Sequence, residues 1–457
     1  MSEHVADVVV LGGGSGGYAA ALRLAELGKD VVLVEKDKLG GTCLHRGCIP
    51  TKALLHAAEV ADAARDAADV GVHATFDGVD TVRLRAYREG IVAKKFKGLE
   101  GLVAARRIRV VSGDGRLEAG PQVRVGDDVY RGADVVLATG SYSRTLPGLE
   151  VGGRVLTSEQ ALELDEVPRR VVVLGGGVIG VEFASVWRSF GVDVTIVEAL
   201  PHLLPAEDVS SSKALERAFR KRGIAFQLGR RFVSLTTADE SVTVRLDDDS
   251  ELTADYVLVA VGRGPATAGL GYEEAGVILD RGFVRVDDRL RTDAPHVWAV
   301  GDIVPGLQLA HRGFQQGIFV AEEIAGLAPV MVPDVDVPRV AYSHPEVASV
   351  GLTEAQAQER YGADGVRAYE YNLAGNGRSE IIGTAGIVKI VRRVDGPVVG
   401  AHLVGDRVGE LITEAQLAVG WEAHPEDIAP FVHAHPTQSE ALGEAFLALA
   451  GKPLHAL

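Results

Sequence analysis

The two cysteines are the residues of this chain with the clearest capacity for chemistry. Both lie in one hexapeptide, Cys43-Leu-His-Arg-Gly-Cys48, and the sequence contains no other cysteine. A structural disulfide across so few residues would close a very small loop and remove little entropy from the unfolded chain. Zinc normally takes four ligands, or three and a water, and no local cluster of cysteine and histidine supplies them. We therefore predict thiol–disulfide exchange, and no metal site.

A glycine-rich segment before the cysteines predicts a dinucleotide site. Residues 7–35 have the pattern strand, glycine turn, helix, strand, with Gly12, Gly14 and Gly17 in the turn. These glycines permit a tight turn and a close approach to a pyrophosphate, and the helix N-terminus offers free N–H groups. Glu35, at the end of the second strand, is placed to accept hydrogen bonds from ribose hydroxyls.

The same pattern recurs at a constant offset of 163 residues, from Gly12 to Gly175 and from Glu35 to Glu198. One glycine motif is weak evidence, because glycine turns are common, but two copies with the same acidic spacing predict two dinucleotide sites. The second copy contains Gly175, Gly177 and Gly180. Glu198 favours NAD, since its carboxylate would accept a bond from the 2′-hydroxyl and repel the 2′-phosphate of NADP.

Length and charge exclude several classes of protein. A chain of 457 residues exceeds the size of a single core and predicts two to four domains. The formal net charge of −16 disfavours nucleic acid and anionic lipid surfaces as partners. No apolar run approaches the roughly 20 residues that a membrane helix needs, and the start lacks a signal-peptide pattern. We therefore expect a cytoplasmic protein, where a reducing environment suits a dithiol that must cycle.

Further motifs resemble, in a shared order over almost the whole chain, those of the flavoprotein disulfide reductases. They are Gly40–Lys52 around the cysteines, the second glycine motif running into Glu182, Val261–Pro265, Gly301-Asp302, the segment 343–353 and the segment 433–440. The resemblance implies an α/β fold with two Rossmann-like dinucleotide-binding domains, for FAD and NAD, and an α+β C-terminal dimerisation domain. Its regions are an FAD-binding domain at 1–145, an NAD-binding domain at 146–270, a central domain at 271–338 that completes the FAD site, and a dimer-interface domain at 339–457.

The resemblance also implies cofactor contacts. Around FAD it places the first glycine motif, Glu35 on the adenosine ribose, Lys52 near the flavin ring, and Gly115, Thr139, Gly140, Asp302 and Ala310. Around NAD it places the second glycine motif with Glu182, Glu198 and Gly262. Lys52 follows Cys48 by four positions, so a helix would put both on one face.

The catalytic set implied by the family is Cys43, Cys48, Lys52, Glu182, His435 and Glu440. The family motif is His-Pro with a glutamate five positions after the histidine, and this spacing selects His435 with Glu440 rather than His433. A carboxylate on one imidazole nitrogen fixes the tautomer and raises the basicity of the other. In the family this histidine reaches the thiols from the opposite subunit, which implies an obligate homodimer.

The implied reaction is oxidation of protein-bound dihydrolipoyl groups, carried by 2-oxoacid dehydrogenase or glycine-cleavage complexes, with reduction of NAD. Its nearest alternative is an NAD(P)H-dependent reductase of another small disulfide, such as a glutathione or mycothiol disulfide. A carrier subunit would need its own lipoyl-bearing segment, and none precedes residue 7. An NADH oxidase or an inactive homologue would lack a cysteine or the His435/Glu440 pair. His45 and Arg46 differ from the asparagine and the small residue that are frequent at these positions in the family. The family pattern therefore does not predict how the substrate approaches this part of the site.

Overall fold

The computed structural model describes residues 2–455, which divide into two compact units. The first unit contains the segments up to Ala53, Val82–Arg144 and Arg263–Asp334. The second contains Leu54–Thr81, Thr145–Gly262 and the segment from Val335 onward. The segment 263–334 thus belongs with the first nucleotide motif, whereas the four domain boundaries predicted from the sequence stay a prediction.

The helices alternate with strands over most of the described chain. They are α1 (Ser15–Glu26), α2 (Gly41–His45), α3 (Cys48–Asp66), α4 (Thr81–Ala105), α5 (Ser158–Leu162), α6 (Val178–Ser189), α7 (Val209–Arg222), α8 (Ala310–Ile324), α9 (Glu354–Tyr361), α10 (Gly377–Ile381), α11 (Val408–Gly420), α12 (Pro425–Ile428) and α13 (Glu440–Leu449). Short 3-10 turns occur at Ala67–Val70, Gly301–Ile303, Asp334–Asp336, Ala363–Gly365 and Leu373–Gly375.

The strands of the first unit form a parallel sheet and smaller sheets. They are β1 (Glu3–Val5), β2 (Val8–Leu11), β3 (Val31–Glu35), β4 (Arg109–Ser112), β5 (Gly115–Glu118), β6 (Gln122–Val125), β7 (Asp128–Arg131), β8 (Asp134–Leu137), β9 (Ser141–Ser143), β18 (Arg263–Pro265), β19 (Leu279–Asp280), β20 (Phe283–Val284) and β21 (Val297–Ala299). The parallel sheet has the order β21-β8-β2-β3-β4. A second sheet has the order β1-β7-β6-β5, and β9 pairs with β18 and β19 with β20.

The central strands β2, β3 and β8 of the parallel sheet are buried on both faces, because they are apolar over most of their length. Val8 and Val10 pack with helices α1 and α8 on one face, while Val9 and Leu11 join the core on the other. Such continuous apolar runs are typical of parallel strands covered on both sides. The carboxyl end of β2 leads directly into the first glycine turn, where a ligand of an open α/β sheet is expected to bind.

The strands of the second unit form three sheets. They are β10 (Val155–Leu156), β11 (Arg170–Leu174), β12 (Asp193–Glu198), β13 (Ala225–Leu228), β14 (Phe232–Thr237), β15 (Val242–Leu246), β16 (Glu251–Ala254), β17 (Tyr256–Val259), β22 (Arg339–Ala341), β23 (Glu346–Gly351), β24 (Val366–Asn372), β25 (Ile387–Arg393) and β26 (Val398–Gly405). Their orders are β10-β17-β11-β12-β13, which is parallel, and β14-β15-β16 and β22-β23-β26-β25-β24, which are antiparallel.

The two parallel sheets have the same arrangement of strands around the glycine turn. The mixed α/β fold predicted from the sequence is confirmed. In each sheet, the strand before the glycine turn pairs with the strand that ends in the acidic residue, as β2 with β3 and β11 with β12. The C-terminal sheet packs instead on α11 and α13, whose apolar faces include Ile412 and Phe446. This α+β arrangement is the one predicted for the C-terminal region.

A partly buried carboxyl group in the C-terminal region gives the protein a pH-dependent stability. Burial raises the pKa of Glu346 to about 7, although the N–H of Gly409 donates to its Oε2 at 2.8 Å, and nearby Asp406 and Glu59 add to the rise. A carboxyl pKa raised by folding stabilises the protein while the group is protonated, and that stability is lost as the pH rises toward 7.

Glu346→Gln is therefore expected to stabilise the protein at pH 8 by about 1–2 kcal/mol, and by little at pH 5. The measurement is the thermal unfolding midpoint of wild type and variant at both pH values. Glu359→Gln on the exposed face of α9 is the matched control. A variant less stable than wild type at pH 8 would contradict the assignment.

Candidate active site

The first glycine turn is shaped by close backbone contacts. Gly12 has φ +105°, and a Cβ there would lie 2.3 Å from the carbonyl oxygen of Ala138. A Cβ on Gly17 would lie 1.8 Å from the carbonyl oxygen of Gly12, so only glycine lets α1 start this close to β2. At Gly14, by contrast, a Cβ would meet nothing within 4 Å. No side chain caps α1, so the open space over Gly14 and the start of the helix fit a phosphate group.

The second glycine turn repeats this geometry. Gly175 has φ +110° and lies against the carbonyl of Ala260, and a Cβ on Gly180 would lie 2.0 Å from the carbonyl oxygen of Gly175. Gly177, which precedes the uncapped helix α6, again faces open space. The two copies predicted from the sequence thus form two equivalent cradles, one in each unit.

The acidic residues of the two motifs are held in the same way. Glu35 Oε2 accepts from the N–H of Gly13 at 2.7 Å, and its Oε1 accepts from the N–H of Asp37 at 2.8 Å. Glu198 Oε2 accepts from the N–H of Gly176 at 2.7 Å, and its Oε1 accepts from the N–H of Leu200 at 2.8 Å. Each carboxylate is therefore fixed beside its glycine turn. Each retains acceptor capacity for a ribose hydroxyl.

The hexapeptide with the cysteines extends from the short helix α2 to the first residue of α3, within the first unit. Cys43 is within α2, and Cys48 begins α3. Neither Cys43 nor Cys48 is in a disulfide, and both are partly buried. Lys52 lies one turn after Cys48 on α3, as the spacing predicts, and its charge acts on Cys43. The structure thus brings Cys43, Cys48 and Lys52 together.

The two cysteines interact directly with each other. A hydrogen bond with Cys48 raises the pKa of Cys43 well above its usual range, and burial and the negative charge of Cys48 add to the rise. Lys52 and a hydrogen bond with Ser15 act in the opposite direction. Cys43 and Cys48 are therefore directly coupled, and the raised pKa favours the protonated form of Cys43.

Two residues of the first nucleotide motif that were not predicted from the sequence interact with this dithiol. Ser15, the first residue of α1, is a hydrogen-bond partner of Cys43. Burial raises the pKa of Tyr18 to about 12, and the charge of Cys43 adds to this rise. The glycine turn and the dithiol therefore form one site. The sequence signal for Ser15 was its place inside the glycine motif.

His45 and Arg46 hold the hexapeptide to its surroundings. His45 Nε2 lies 2.8 Å from the carbonyl oxygen of Leu39, and its ring meets the edge of Phe96 with centroids 5.0 Å apart. Arg46 forms an ion pair with Asp37, just after β3. Both departures from the family pattern therefore have a local structural role.

Asp302 lies in a polar network of the first unit. Its Oδ2 accepts a hydrogen bond from Ser141 Oγ at 2.5 Å, and Ser141 Oγ in turn accepts from Arg263 Nε at 2.7 Å. The N–H of the preceding Gly301 donates to Gln316 Oε1 on α8 at 2.8 Å. These bonds fix the turn that carries Asp302, while its proposed contact with the cofactor stays a prediction.

The other residues predicted around FAD also lie in the first unit. Thr139 Oγ1 bonds to the carbonyl of Ala266 at 2.7 Å and to the Tyr272 hydroxyl at 2.8 Å, so its side chain serves the fold. Gly140 follows with φ +76°, and Ala310 begins the uncapped helix α8. At Gly115 a Cβ would lie 2.4 Å from Leu11 Cδ1, so close packing of the core explains this glycine.

The residues predicted around NAD lie in the second unit. Glu182 is buried on α6, and its Oε1 accepts from the N–H of Tyr342 at 2.9 Å. Gly262, with φ +104°, follows β17. The predicted pairing of Glu182 with Lys52 stays a prediction, since the two residues belong to different units.

The predicted base and its carboxylate are paired. His435 Nδ1 lies 2.8 Å from Glu440 Oε1, and the N–H of Thr437 donates to Glu440 Oε2 at 2.8 Å. Burial acts to raise the pKa of Glu440, but the hydrogen bonds from Thr437 and His435 outweigh it and lower the pKa. The side chain of His435 is 79% exposed, so its Nε2 is accessible to a reacting group.

Two further features concern metal binding and membrane-spanning helices. Among the described residues, no group of three or more histidine, cysteine or acidic side chains could hold a metal ion. Within the same residues, no helix is long and apolar enough to cross a membrane.

Comparisons with known proteins identify the family. Residues 6–317 match the pyridine nucleotide-disulphide oxidoreductases, and residues 337–446 match the dimerisation domain of the same family. The chain belongs to the pyridine nucleotide-disulphide oxidoreductase family and carries its dimerisation domain. The cofactors expected from the sequence, FAD and NAD, are those of this family.

Similar proteins match over the full length of the chain. A dihydrolipoyl dehydrogenase of Bacillus subtilis is 39% identical over 98% of this chain and 99% of its own length. Dihydrolipoyl dehydrogenase 3 of Pseudomonas aeruginosa is 40% identical over 98% of each chain. The crystal structure of LpdA from Mycobacterium tuberculosis superposes with a TM-score of 0.90 at 28% identity, covering 98% of this chain and 100% of that one.

Proposed function

We propose that this protein is an FAD-dependent dihydrolipoyl dehydrogenase, which oxidises protein-bound dihydrolipoyl groups and reduces NAD. The observation that carries the proposal is the dithiol beside the first nucleotide turn, in which Cys43 is hydrogen-bonded to Cys48 and lies close to Ser15 and to the charge of Lys52. The full-length likeness to proteins named dihydrolipoyl dehydrogenase supports the choice of substrate.

The reaction begins with thiol–disulfide exchange, for which the attacking species is a thiolate. Nε2 of His435 takes a proton from one thiol of the substrate, and the thiolate attacks the Cys43 sulfur of the oxidised Cys43–Cys48 disulfide. Cys48 leaves as a thiolate, which the positive charge of Lys52 stabilises. The second substrate thiol then attacks the substrate sulfur of the mixed disulfide, its proton passes to the departing Cys43 sulfur, and the cyclic disulfide is released. Two electrons have then moved from the substrate to the enzyme dithiol.

The bound cofactors connect the dithiol to hydride chemistry. FAD supplies the exchange between two-electron thiol chemistry and hydride transfer, which side chains do not perform. The residues that would hold FAD are the first glycine turn, Glu35, Lys52 and the turn at Asp302. The second glycine turn with Glu182 and Glu198 would hold NAD.

The partners follow from the same reaction. The dimerisation domain and the exposed side chain of His435 support a homodimer in which each His435 serves the dithiol of the other chain. The dihydrolipoyl group comes on a lipoyl domain of a 2-oxoacid dehydrogenase or glycine-cleavage complex. We place the reaction in the reducing cytoplasm, where a dithiol cycles readily.

The direct test of the proposed function compares two pairs of reactants on the purified yellow protein. We expect rapid NAD reduction by dihydrolipoamide, and a rate at least about 100-fold lower with NADPH and glutathione disulfide. A preference for the second pair would replace the proposal with a reductase of small disulfides. A mycothiol disulfide tested with NADH and NADPH covers the other alternative substrate.

Glu198 is expected to set the choice of nicotinamide cofactor. Glu198→Gln removes the charge that faces the 2′ position, so we expect KM for NAD to rise about 10- to 100-fold and discrimination against NADP to fall. Glu35→Gln is the matched control, because its carboxylate is held identically in the first turn. Glu35→Gln should weaken FAD retention and leave the ratio of kcat/KM with NAD to kcat/KM with NADP unchanged. If both variants shifted that ratio equally, the assignment of the two sites would be wrong.

A further inference from the structure

His433 is the other histidine of the loop that carries His435, and its side chain is far less exposed. Its side chain is 14% exposed, against 79% for His435. Nε2 of His433 lies 2.8 Å from Oε1 of Glu414, a residue of helix α11. The loop before His435 is therefore tied to α11 by a second histidine–carboxylate pair.

The His433 ring is also fitted to helix α13. A Cβ on Gly443 would lie 2.6 Å from Nδ1 of His433, so a larger residue at this position would displace the ring. The backbone carbonyl of Phe431 provides a further hydrogen bond to the ring. The neighbouring side chains of Phe431 and Val432 are 72% and 96% exposed. His433 is thus the buried anchor of this stretch of the loop.

The hydrogen bond with Glu414 raises the pKa of His433, burial opposes the rise, and the charge of Glu440 adds to it. Conversely, the charge of His433 contributes to the lowered pKa of Glu440, after the effects of burial and of the bonds from Thr437 and His435. The two histidine–carboxylate pairs are therefore electrostatically linked, through Glu440.

We propose that His433 and Glu414 form a positioning pair that holds the His435 loop between α11 and α13. His433 does not itself accept the substrate proton, because its Nε2 is occupied by Glu414. The pair acts only on the half-reaction that uses His435. This inference rests on the proposed function.

The test is the kinetic effect of His433→Gln and Glu414→Gln on the purified holoenzyme dimer. Each is expected to lower kcat with dihydrolipoamide about 10- to 50-fold, to change KM for NAD less than about twofold, and to leave NADH oxidation by an artificial acceptor intact. In a His435→Gln background, a further His433→Gln should lower kcat less than about twofold, because the group through which it acts is already lost. A role in folding alone would lower both activities together and would persist in that background.

A third histidine–carboxylate pair provides the matched control. His455 Nδ1 lies 2.8 Å from Glu444 Oε1 on the same helix α13, and the His455 side chain is 70% exposed. His455→Gln should leave both activities unchanged. The inference is overturned if His433→Gln and Glu414→Gln keep wild-type kcat, or if the full effect remains without His435. A wild-type protein inactive with dihydrolipoamide would instead reject the proposed function.

Discussion

Replacement of Cys48 by serine is expected to abolish turnover of dihydrolipoamide and the long-wavelength absorbance that a thiolate gives beside an oxidised flavin. In the proposed reaction Cys48 is the leaving thiolate, because its hydrogen bond with Cys43 raises the pKa of Cys43 and favours the protonated form of that partner. Without Cys48 the enzyme has no leaving thiolate for the exchange. We expect the rate to fall by about 10³-fold or more. Oxidation of NADH by an artificial acceptor bypasses the dithiol and should continue.

Cys43→Ser is expected to lose the same turnover but to differ in spectrum. Cys48 remains, without its hydrogen-bond donor but with the charge of Lys52, so the long-wavelength absorbance should persist. Alkylation rates against pH give a second readout. Loss of Cys48 removes the largest cause of the raised pKa of Cys43, while burial continues to raise it. In Cys48→Ser the remaining thiol should therefore titrate above its ordinary value. Identical spectra for the two variants would contradict the division of roles.

The second large effect is expected at His435. Its Nδ1 is fixed by Glu440, which leaves Nε2 to accept the substrate proton. General base catalysis typically contributes 10²- to 10⁴-fold, so His435→Gln should lower kcat with dihydrolipoamide by about 10³-fold. Glu440→Gln should cost less, about 10- to 100-fold, because the imidazole remains. Artificial-acceptor activity is the internal control. An unchanged dihydrolipoamide rate would reject His435 as the base.

Mixed dimers test whether His435 serves the opposite chain. The Cys48→Ser and His435→Gln chains, carrying different tags, are co-expressed and all dimers are assayed together. A mixed dimer with shared sites contains one intact site, built from Cys48 of one chain and His435 of the other. With random pairing, about a quarter of wild-type activity is expected. If each site used residues of one chain only, no activity would return.

The local parts of the site could be predicted from the sequence because short segments determine them. The glycine turns and the acidic residues that end β3 and β12 depend on residues fewer than about 30 positions apart, within one strand–helix–strand unit. The pairing of His435 with Glu440 was predicted from the resemblance to the family motif. Its bond of 2.8 Å confirms the contact, whereas the catalytic role stays a prediction.

Other contacts depend on tertiary packing, which no local pattern contains. The bond between His433 and Glu414 joins a loop to a separate helix 19 residues earlier in the chain, so spacing gave no sign of it. The bond between Ser141 and Asp302 spans 161 residues. Ser15 reaches Cys43 only because the start of α1 and the short helix α2 lie together in the folded unit. Similarly, the assignment of residues 54–81 to the second unit depends on contacts far along the chain.

The central claim is that electrons pass between the nicotinamide cofactor and the substrate through the Cys43–Cys48 dithiol. Anaerobic holoenzyme, first oxidised, is treated with one equivalent per chain of NADH or of dihydrolipoamide, alkylated, and analysed by mass spectrometry of the hexapeptide. We expect either reductant to make both cysteines alkylatable, with neither labelled before reduction. Labelling of both cysteines in the oxidised enzyme, or of neither after reduction, would contradict the account.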